Sequence, residues 1–423
     1  MRRSLGWLVV GVSVVLLFVL SGDPPSGDRW GVSLAVQDAH AQAALKYTGG
    51  ASCGGSKCHA SQTPRADFPK MNENIIWQQK DKHAKAYETL TNERLKSGVS
   101  PSAMAKKLGL AKAETSERCL ICHAVNVKPA QRGPKFDITD GVHCEGCHGP
   151  AEKWLESHAE KGWTHEQSVK LGMYDTRDLL LRAENCVSCH LAIDAEMVAA
   201  GHPDLLAFEL DTFSRNMSQP PHYRTEPPLG GARAWALGQI VALREAAKQL
   251  ADRAKGNAPA KLLEDASQKV VGHAAVVGPL LGVVAPAAQR SLEQDVVTLT
   301  DQVKKGDRGA MGATAGKIVQ AMTQQAASVA KRELSQAEVQ KLVDSITAGA
   351  DPLSGRGIRS AEQASMALDR LSLAFYRSKG QRMPKAASDA LDKVFEALPE
   401  QPSKYDAKSF ATAVKGFQAQ FGK

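Results

Sequence analysis

The residues of this chain best suited to chemistry are eight cysteines that form four close pairs. The pairs are Cys53 with Cys58, Cys119 with Cys122, Cys144 with Cys147, and Cys186 with Cys189. A histidine follows each pair directly, and these histidines are His59, His123, His148 and His190. Because the chain has only 12 histidines among 423 residues, this recurrence points to one shared chemistry at all four places.

Two nearby cysteines closed by a histidine are the attachment motif of a c-type haem. The cysteines form thioether bonds to the porphyrin, and the histidine becomes an axial ligand of the iron. Structural zinc gives no reason for a histidine after every second cysteine, and disulfides between residues so close in sequence are strained. The sequence therefore predicts four covalent haem c groups. The first motif has four residues between its cysteines, and Gly54 and Gly55 let the backbone bulge there.

The sixth ligand decides what each haem does, since a second histidine restricts the iron to electron transfer and an open position admits a small molecule. We predict His83, His158 and His202 as sixth ligands. His83 lies on a predicted amphipathic helix, and His158 lies ten residues after His148. His202 precedes a proline, which restricts it to extended conformations and suits a ligand held at fixed reach.

Two histidines are candidates for the one sixth ligand that is left to assign. His143 directly precedes Cys144 and could reach an adjacent iron, whereas His222 follows two prolines. His165 is predicted to face solvent, and His273 to be an ordinary histidine of a helical bundle.

The N-terminus is typical of export. Arg2 and Arg3 precede an apolar run, Leu5–Leu20, of signal-peptide length. Small-x-small sites at 39–41 and 41–43 predict a signal peptide over 1–41, with an uncleaved membrane anchor as the alternative. Either one predicts a periplasmic or other extracytoplasmic location, which agrees with where c-type haem is attached.

The rest of the chain divides in two, and the predicted fold class is mainly α. Residues 44–230 hold all the cysteines and predict a loop-rich tetrahaem domain, with short helices at Ser116–Ala124 and Arg182–Ile193. Residues 231–423 are alanine-rich with apolar residues at helical spacing, and they predict a cofactor-free bundle of six or seven helices. Predicted helix breaks include Gly278-Pro279 and Gly306, and capping boxes are predicted at Ser335 and Ser360.

Charge differs between the two parts. Residues 44–230 carry 23 Lys and Arg against 23 Asp and Glu, whereas residues 231–423 carry 27 against 19. The basic excess of the bundle fits a solvated helical surface, or a face that docks an acidic partner, anionic lipid or the haem domain itself. Nothing in the sequence indicates nucleic-acid recognition.

Part of the chain resembles the tetrahaem c-type cytochromes typified by the electron acceptor of hydroxylamine oxidoreductase in nitrifying bacteria. The resemblance covers about 50–205. It rests on the order of the motifs, on Trp77 followed by the segment 83–86, on the segment 141–150 around the third motif, and on His158.

The resemblance implies that His83 and His158 are distal ligands and that the haems stack in close pairs. It also implies that one iron can stay five-coordinate, typically that of the second motif, which is held here by His123. The chain departs from the family in its longer first spacer, in His143, in the element Gly201-His202-Pro203 and in the helical C-terminal part. Related multihaem proteins of unknown role also carry an alanine-rich helical tail after a Gly-His-Pro element.

Two functions follow from the sequence. The leading hypothesis is a periplasmic electron-transfer protein that passes electrons between a redox donor and acceptor, because four motifs within 190 residues place the haems close together. The alternative is an enzyme that reduces a small nitrogen oxide or related substrate at one five-coordinate haem.

Overall fold

The computed structural model describes residues 45–95, 98–191, 193–205, 207–216 and 227–422. These residues form a mainly α-helical structure, which confirms the predicted fold class. The only extended pairing among them is a single bridge between Tyr47 and Arg132. The predicted signal peptide or anchor, His40 and His222 lie outside the described residues.

The N-terminal part is built of short helices joined by loops. Its α-helices are α1 (Gly50–Cys53), α2 (Glu73–Lys80), α3 (Glu88–Thr91), α4 (Pro101–Lys107), α5 (Glu117–His123), α6 (Cys144–His148), α7 (His165–Lys170), α8 (Leu179–His190), α9 (Ala195–Ala200) and α10 (Leu210–Asn216). Single 3₁₀ turns lie between them, two of which carry His83 and His158. Helices this short are marginal alone and depend on what they pack against.

The C-terminal part is a bundle of longer helices. They are α11 (Gly230–Lys255), α12 (Ala260–Val284), α13 (Pro286–Lys305), α14 (Arg308–Val329), α15 (Gln336–Ala348), α16 (Ala350–Gly355), α17 (Ile358–Ser378), α18 (Lys385–Glu396) and α19 (Ala407–Gln418). The described residues after 229 thus contain nine α-helices, more than the six or seven predicted.

Helix α11 is the centre of the molecule. It is buried on nearly all sides, as expected of a helix that has apolar or small residues all round. It packs against α12, α14 and α17 of the bundle, and also against α8 and α10 of the N-terminal part. The predicted apolar face from Ala236 to Ala254 is buried throughout.

The hydrophobic core runs without interruption across the predicted boundary at residue 230. Leu179, Ala183 and Val187 of α8, the helix of the fourth motif, belong to the same buried cluster as Trp235 and Leu243 of α11. The bundle therefore supports the fourth motif directly. A separate small cluster around Leu90 and Leu120 surrounds the second motif.

Two sequence expectations about helix ends are wrong. The break predicted at Gly278-Pro279 does not occur, because Pro279 lies inside α12. The neighbouring Val276, Val277 and Leu280 are fully buried, and this packing offsets the hydrogen bond that proline cannot donate. By length and composition α12 could also cross a membrane, but 72% of its most apolar window is buried within the protein.

The second wrong expectation is the capping box at Ser360. Ser335 does form the predicted capping box with Glu338 at the start of α15. Ser360 instead lies within the first turn of α17, whose N-cap is Gly357. Its hydroxyl is fully buried and has no hydrogen-bond partner among the described residues.

The two serines give a matched test of this difference. Ser335→Ala should lower the free energy of unfolding by about 1 kcal/mol, because the backbone N–H of Glu338 loses its acceptor. Ser360→Ala should leave the stability unchanged or raise it, because a buried, unpaired hydroxyl is removed. Urea unfolding followed by circular dichroism measures both, and equal losses would contradict the described α17 start.

Candidate haem-binding site

Each attachment motif lies at the end of a short helix. The second and fourth motifs end α5 and α8 at their histidines, the third makes up α6, and the first begins at the last residue of α1. In the three helical motifs the cysteines are three residues apart and the histidine follows the first cysteine by four. Side chains at these spacings share one helix face, so both sulfurs and the imidazole can meet one flat group.

The motifs lie next to one another in a fixed order. The thiols of Cys53 and Cys144 lie close enough to shift each other's pKa, which places the first motif beside the third. Cys122 likewise lies close enough to Cys189 to lower its pKa, which places the second motif beside the fourth. Cys147 of the third motif lies close enough to Cys186 of the fourth for their charges to interact. The order in space is first, third, fourth, second.

Three motif histidines each face one predicted sixth ligand. The ring centroids of His59 and His158 are 6.1 Å apart. Those of His83 and His190 are 6.1 Å apart, and those of His123 and His202 are 6.3 Å apart. The structure thus brings His83, His158 and His202 together with three different motifs, although each lies 79 to 107 residues from its partner in the sequence.

These distances fit two imidazoles that share one iron. A metal–imidazole bond of about 2.0 Å, with the nitrogen roughly 1.1 Å from the ring centre, places two axial ligands about 6.2 Å apart between centroids. The rings of His59 and His158 are nearly parallel, at 7°, whereas the other two pairs are nearly perpendicular, at 83° and 74°. The residues present therefore fit bis-histidine haem sites.

Hydrogen bonds at Nδ1 prepare these rings for metal binding. The Nδ1 of His59 lies 2.9 Å from a Glu73 carboxylate oxygen, and that of His83 lies 2.9 Å from Asp81. The Nδ1 atoms of His123, His158 and His202 face the backbone carbonyls of Ala86, Leu155 and Pro203. An acceptor at Nδ1 holds the proton there and leaves the Nε2 lone pair for a metal.

The backbone around His83 is fixed by the third motif. The N–H of Val142 donates to the His83 carbonyl at 3.0 Å, and the Trp77 indole donates to the Val142 carbonyl at 3.0 Å. Gly141 has φ +70°, and a Cβ there would lie 2.7 Å from the same His83 oxygen. Only glycine allows this approach, so the segment that precedes the third haem motif also places the predicted ligand of the fourth.

Aromatic rings enclose the fourth motif. Phe208 and Phe213 lie 5.7 and 5.3 Å from the His190 ring, and Phe208 is fully buried. This burial lowers the pKa of His190 to about 4, which keeps the imidazole neutral, the form that binds a metal.

His143 has a different arrangement. It is the N-cap of α6, where its Nδ1 accepts a hydrogen bond from the Glu145 N–H. The neutral ring then carries its proton on Nε2, an atom that is buried without a hydrogen-bond partner among the described residues. Burial also lowers the pKa of His143 to about 4. In this tautomer the Nε2 that points away from the cap carries a proton and has no lone pair for a metal. Iron ligation by His143 stays a prediction.

The remaining histidines are placed as follows. His148 ends α6, and its carbonyl accepts from the Tyr174 N–H. His165 does not face solvent as predicted, because its side chain is only 14% exposed and its Nε2 lies 2.8 Å from Asp175. His273 is buried in the bundle, where its Nδ1 lies 2.9 Å from the side-chain oxygen of Gln239.

Glu145 is a site residue whose role the sequence did not indicate. Its buried carboxylate accepts hydrogen bonds from the backbone N–H groups of Thr48, Gly49 and Ala151, at 2.7 to 2.8 Å. It thereby ties the chain before the first motif to the third motif. Burial raises the pKa of this carboxyl, and the three N–H donors oppose that rise. The position of this glutamate between the two cysteines of a motif is a signal for a role in the site. Nothing in the sequence indicates which groups would donate hydrogen bonds to it.

The helical fold, the four motifs and the paired imidazoles are the features expected of a c-type cytochrome domain. The comparisons with known proteins agree. Residues 52–149 match the family model described as cytochrome c554 and c-prime. Cytochrome c-554 from Nitrosomonas europaea is 35% identical over 123 residues, which cover 26% of this chain and 48% of that protein. No solved structure matches the chain significantly.

These findings support the predicted family, the tetrahaem c-type cytochromes, for the region of the haem motifs. The chain spans about half the length of the curated relative it matches. The resemblance allowed an open second iron, and the structure places the His202 ring 6.3 Å from that of His123.

The different ring angles predict two kinds of ferric signal. Nearly parallel imidazoles give a rhombic low-spin electron paramagnetic resonance spectrum, whereas perpendicular ones give a highly anisotropic spectrum with a large maximal g value. The oxidised protein should show both kinds, and His158→Ala should remove the rhombic signal of the His59 site. His165→Gln is the control and should change neither. A rhombic signal that survives His158→Ala would contradict the pairing.

Glu145→Gln should lower the free energy of unfolding by about 1–3 kcal/mol, because an amide nitrogen replaces one acceptor and leaves a buried N–H unpaired. Denaturant unfolding of the haem-loaded protein measures the change. Glu152→Gln is the control, because Glu152 also accepts from a backbone N–H, that of Lys46, but at an exposed position. Similar losses in the two variants would contradict the role given to the buried carboxylate.

Proposed function

We propose that this chain is an extracytoplasmic electron-transfer protein that carries four covalent haems and exchanges electrons with redox protein partners. The observation that carries the proposal is the set of three histidine pairs at 6.1 to 6.3 Å. When bound, haem supplies a reversible one-electron iron couple. When protein residues fill both axial positions, the iron keeps its one-electron couple. No small molecule can then bind at that iron.

The attachment sites are close enough to form one route. The thiol contacts join the first motif to the third and the second to the fourth, and Cys147 with Cys186 joins the two halves. The first and second motifs are therefore the ends of the series and the natural places for a donor and an acceptor to approach. Cys58 of the first motif is exposed, which supports that role for the first end.

We infer export for two reasons. The motifs are those of c-type haem, which is attached outside the cytoplasm, and the apolar segment 5–20 follows two arginines. In this proposal the mature domain lies in the periplasm, either free or held at the membrane by the N-terminal segment. The bundle, which carries the basic excess of the sequence, is its cofactor-free support.

The haem count and the state of the irons test this function. The exported protein should contain four haems per chain by pyridine haemochrome assay and mass spectrometry. The reduced protein should bind little carbon monoxide, because His83, His158 and His202 close three of the irons. Binding of carbon monoxide by most of the haem in the native protein would contradict the carrier function and favour the enzyme.

A single-ligand variant sharpens the test. His83→Ala should open the iron attached through His190, so that about one quarter of the total haem becomes high-spin and binds carbon monoxide. His273→Gln is the control, because His273 lies in the bundle and has no part in the three pairs. Unchanged spectra in His83→Ala would show that His83 is not a ligand.

A further inference from the structure

The short loop that carries His202 ends in an acidic residue held by the bundle. Asp204 follows His202 by two residues, and its Oδ1 accepts from the Lys269 Nζ at 2.6 Å. Its two oxygens also accept from the Arg253 guanidinium at 3.0 and 3.2 Å. The Lys269 side chain is fully buried and that of Arg253 is 2% exposed, so these ion pairs are shielded from water.

The same buried cluster holds the end of the fourth motif. Lys269 also donates to the side-chain oxygen of Gln249 at 2.6 Å. The Gln249 amide and the Arg253 guanidinium in turn donate to the carbonyl of Ile193, at 2.6 and 3.1 Å. Ile193 follows the motif histidine His190 by three residues. One cluster on α11 and α12 therefore fixes the chain on both sides of α9.

The other end of the His202 loop is held by the haem domain. Arg118 of α5, the helix of the second motif, pairs with Asp194 at 2.8 Å, and Asp194 is the N-cap of α9. Lys107 donates to the carbonyl of Ala200 at the last residue of α9. Gly201 then turns the chain with φ +119°, and His202 is restricted by the following proline.

The loop is thus stretched between two anchors, and His202 lies between them opposite His123. Charge explains why the bundle anchor is strong, because two buried cations surround one largely buried carboxylate. Without Asp204 the cations would remain buried and uncompensated, so the loop cannot leave the cluster at low cost.

We propose that Asp204, Lys269 and Arg253 are positioning residues for the sixth ligand of the second haem, and that the bundle acts as a clamp that holds His202 on the iron. This inference rests on the proposed function, in which His123 and His202 share one haem. It gives the helical C-terminal part a specific task and explains how this chain can close a position that can be five-coordinate in the family it resembles.

The test uses the full-length, haem-loaded protein and measures coordination. In Asp204→Asn the loop should loosen, so that about one quarter of the reduced haem becomes able to bind carbon monoxide, as in His202→Ala. Glu184→Gln is the matched control. It breaks another bidentate ion pair between the bundle and the haem domain, that of Arg244 with Glu184, away from the His202 loop. It should lower stability without opening the second iron.

If Asp204→Asn does not fold, Lys269→Met tests the clamp instead. This variant keeps one cation, Arg253, opposite one carboxylate, Asp204, so the buried charges still balance. It should speed the binding of carbon monoxide at the same haem. Folded variants with four haems and no new carbon monoxide binding, in either case, would overturn the clamp while leaving the proposed function intact. If His202→Ala itself left all spectra unchanged, then the ligand assignment and the clamp would both fail.

Discussion

An imidazole can bind a metal through one nitrogen only when its proton is held on the other, and the architecture of this protein depends on that constraint. Five of the paired histidines present Nδ1 to a carboxylate or a backbone carbonyl. Carbonyl acceptors are available wherever a helix ends or a 3₁₀ turn closes, because the last carbonyls of a helix have no partner within it. Short helices that end at or near a histidine supply the acceptors as well as the ligands.

The same constraint separates His143 from the other histidines. Its Nδ1 is engaged as an acceptor at the N-cap of α6, a position usually taken by serine, threonine, aspartate or asparagine. A histidine can cap in this way only as the tautomer that keeps its proton on Nε2. The local demand of the helix start and the demand of an iron ligand are therefore opposed at this residue.

The sequence predicted the motifs, the mainly α fold and the candidate ligands His83, His158 and His202, because each of these depends on residue type and short spacing. The assignment of each candidate to a motif could not be predicted. His83 meets the last motif and His158 meets the first, and these pairings are set by the path of the chain between them. The roles of Glu145 and Asp204 were missed for the same reason, since their partners are distant in sequence. At Pro279 and Ser360, buried packing overrode a local signal that would have been reliable at a surface.

The continuous core between α8 and α11 has a consequence for the order in which the protein can mature. A chain is made and exported from its N-terminus, so all four cysteine motifs emerge before the central helix that α8 packs on, and before Lys269. During that interval the cysteines of the fourth motif have no bundle to be buried against, so under the proposed function they stay within reach of the enzymes that would attach haem. The arrival of the C-terminal helices then completes the core. Folding of the bundle and closure of the haem region are in this way parts of one event.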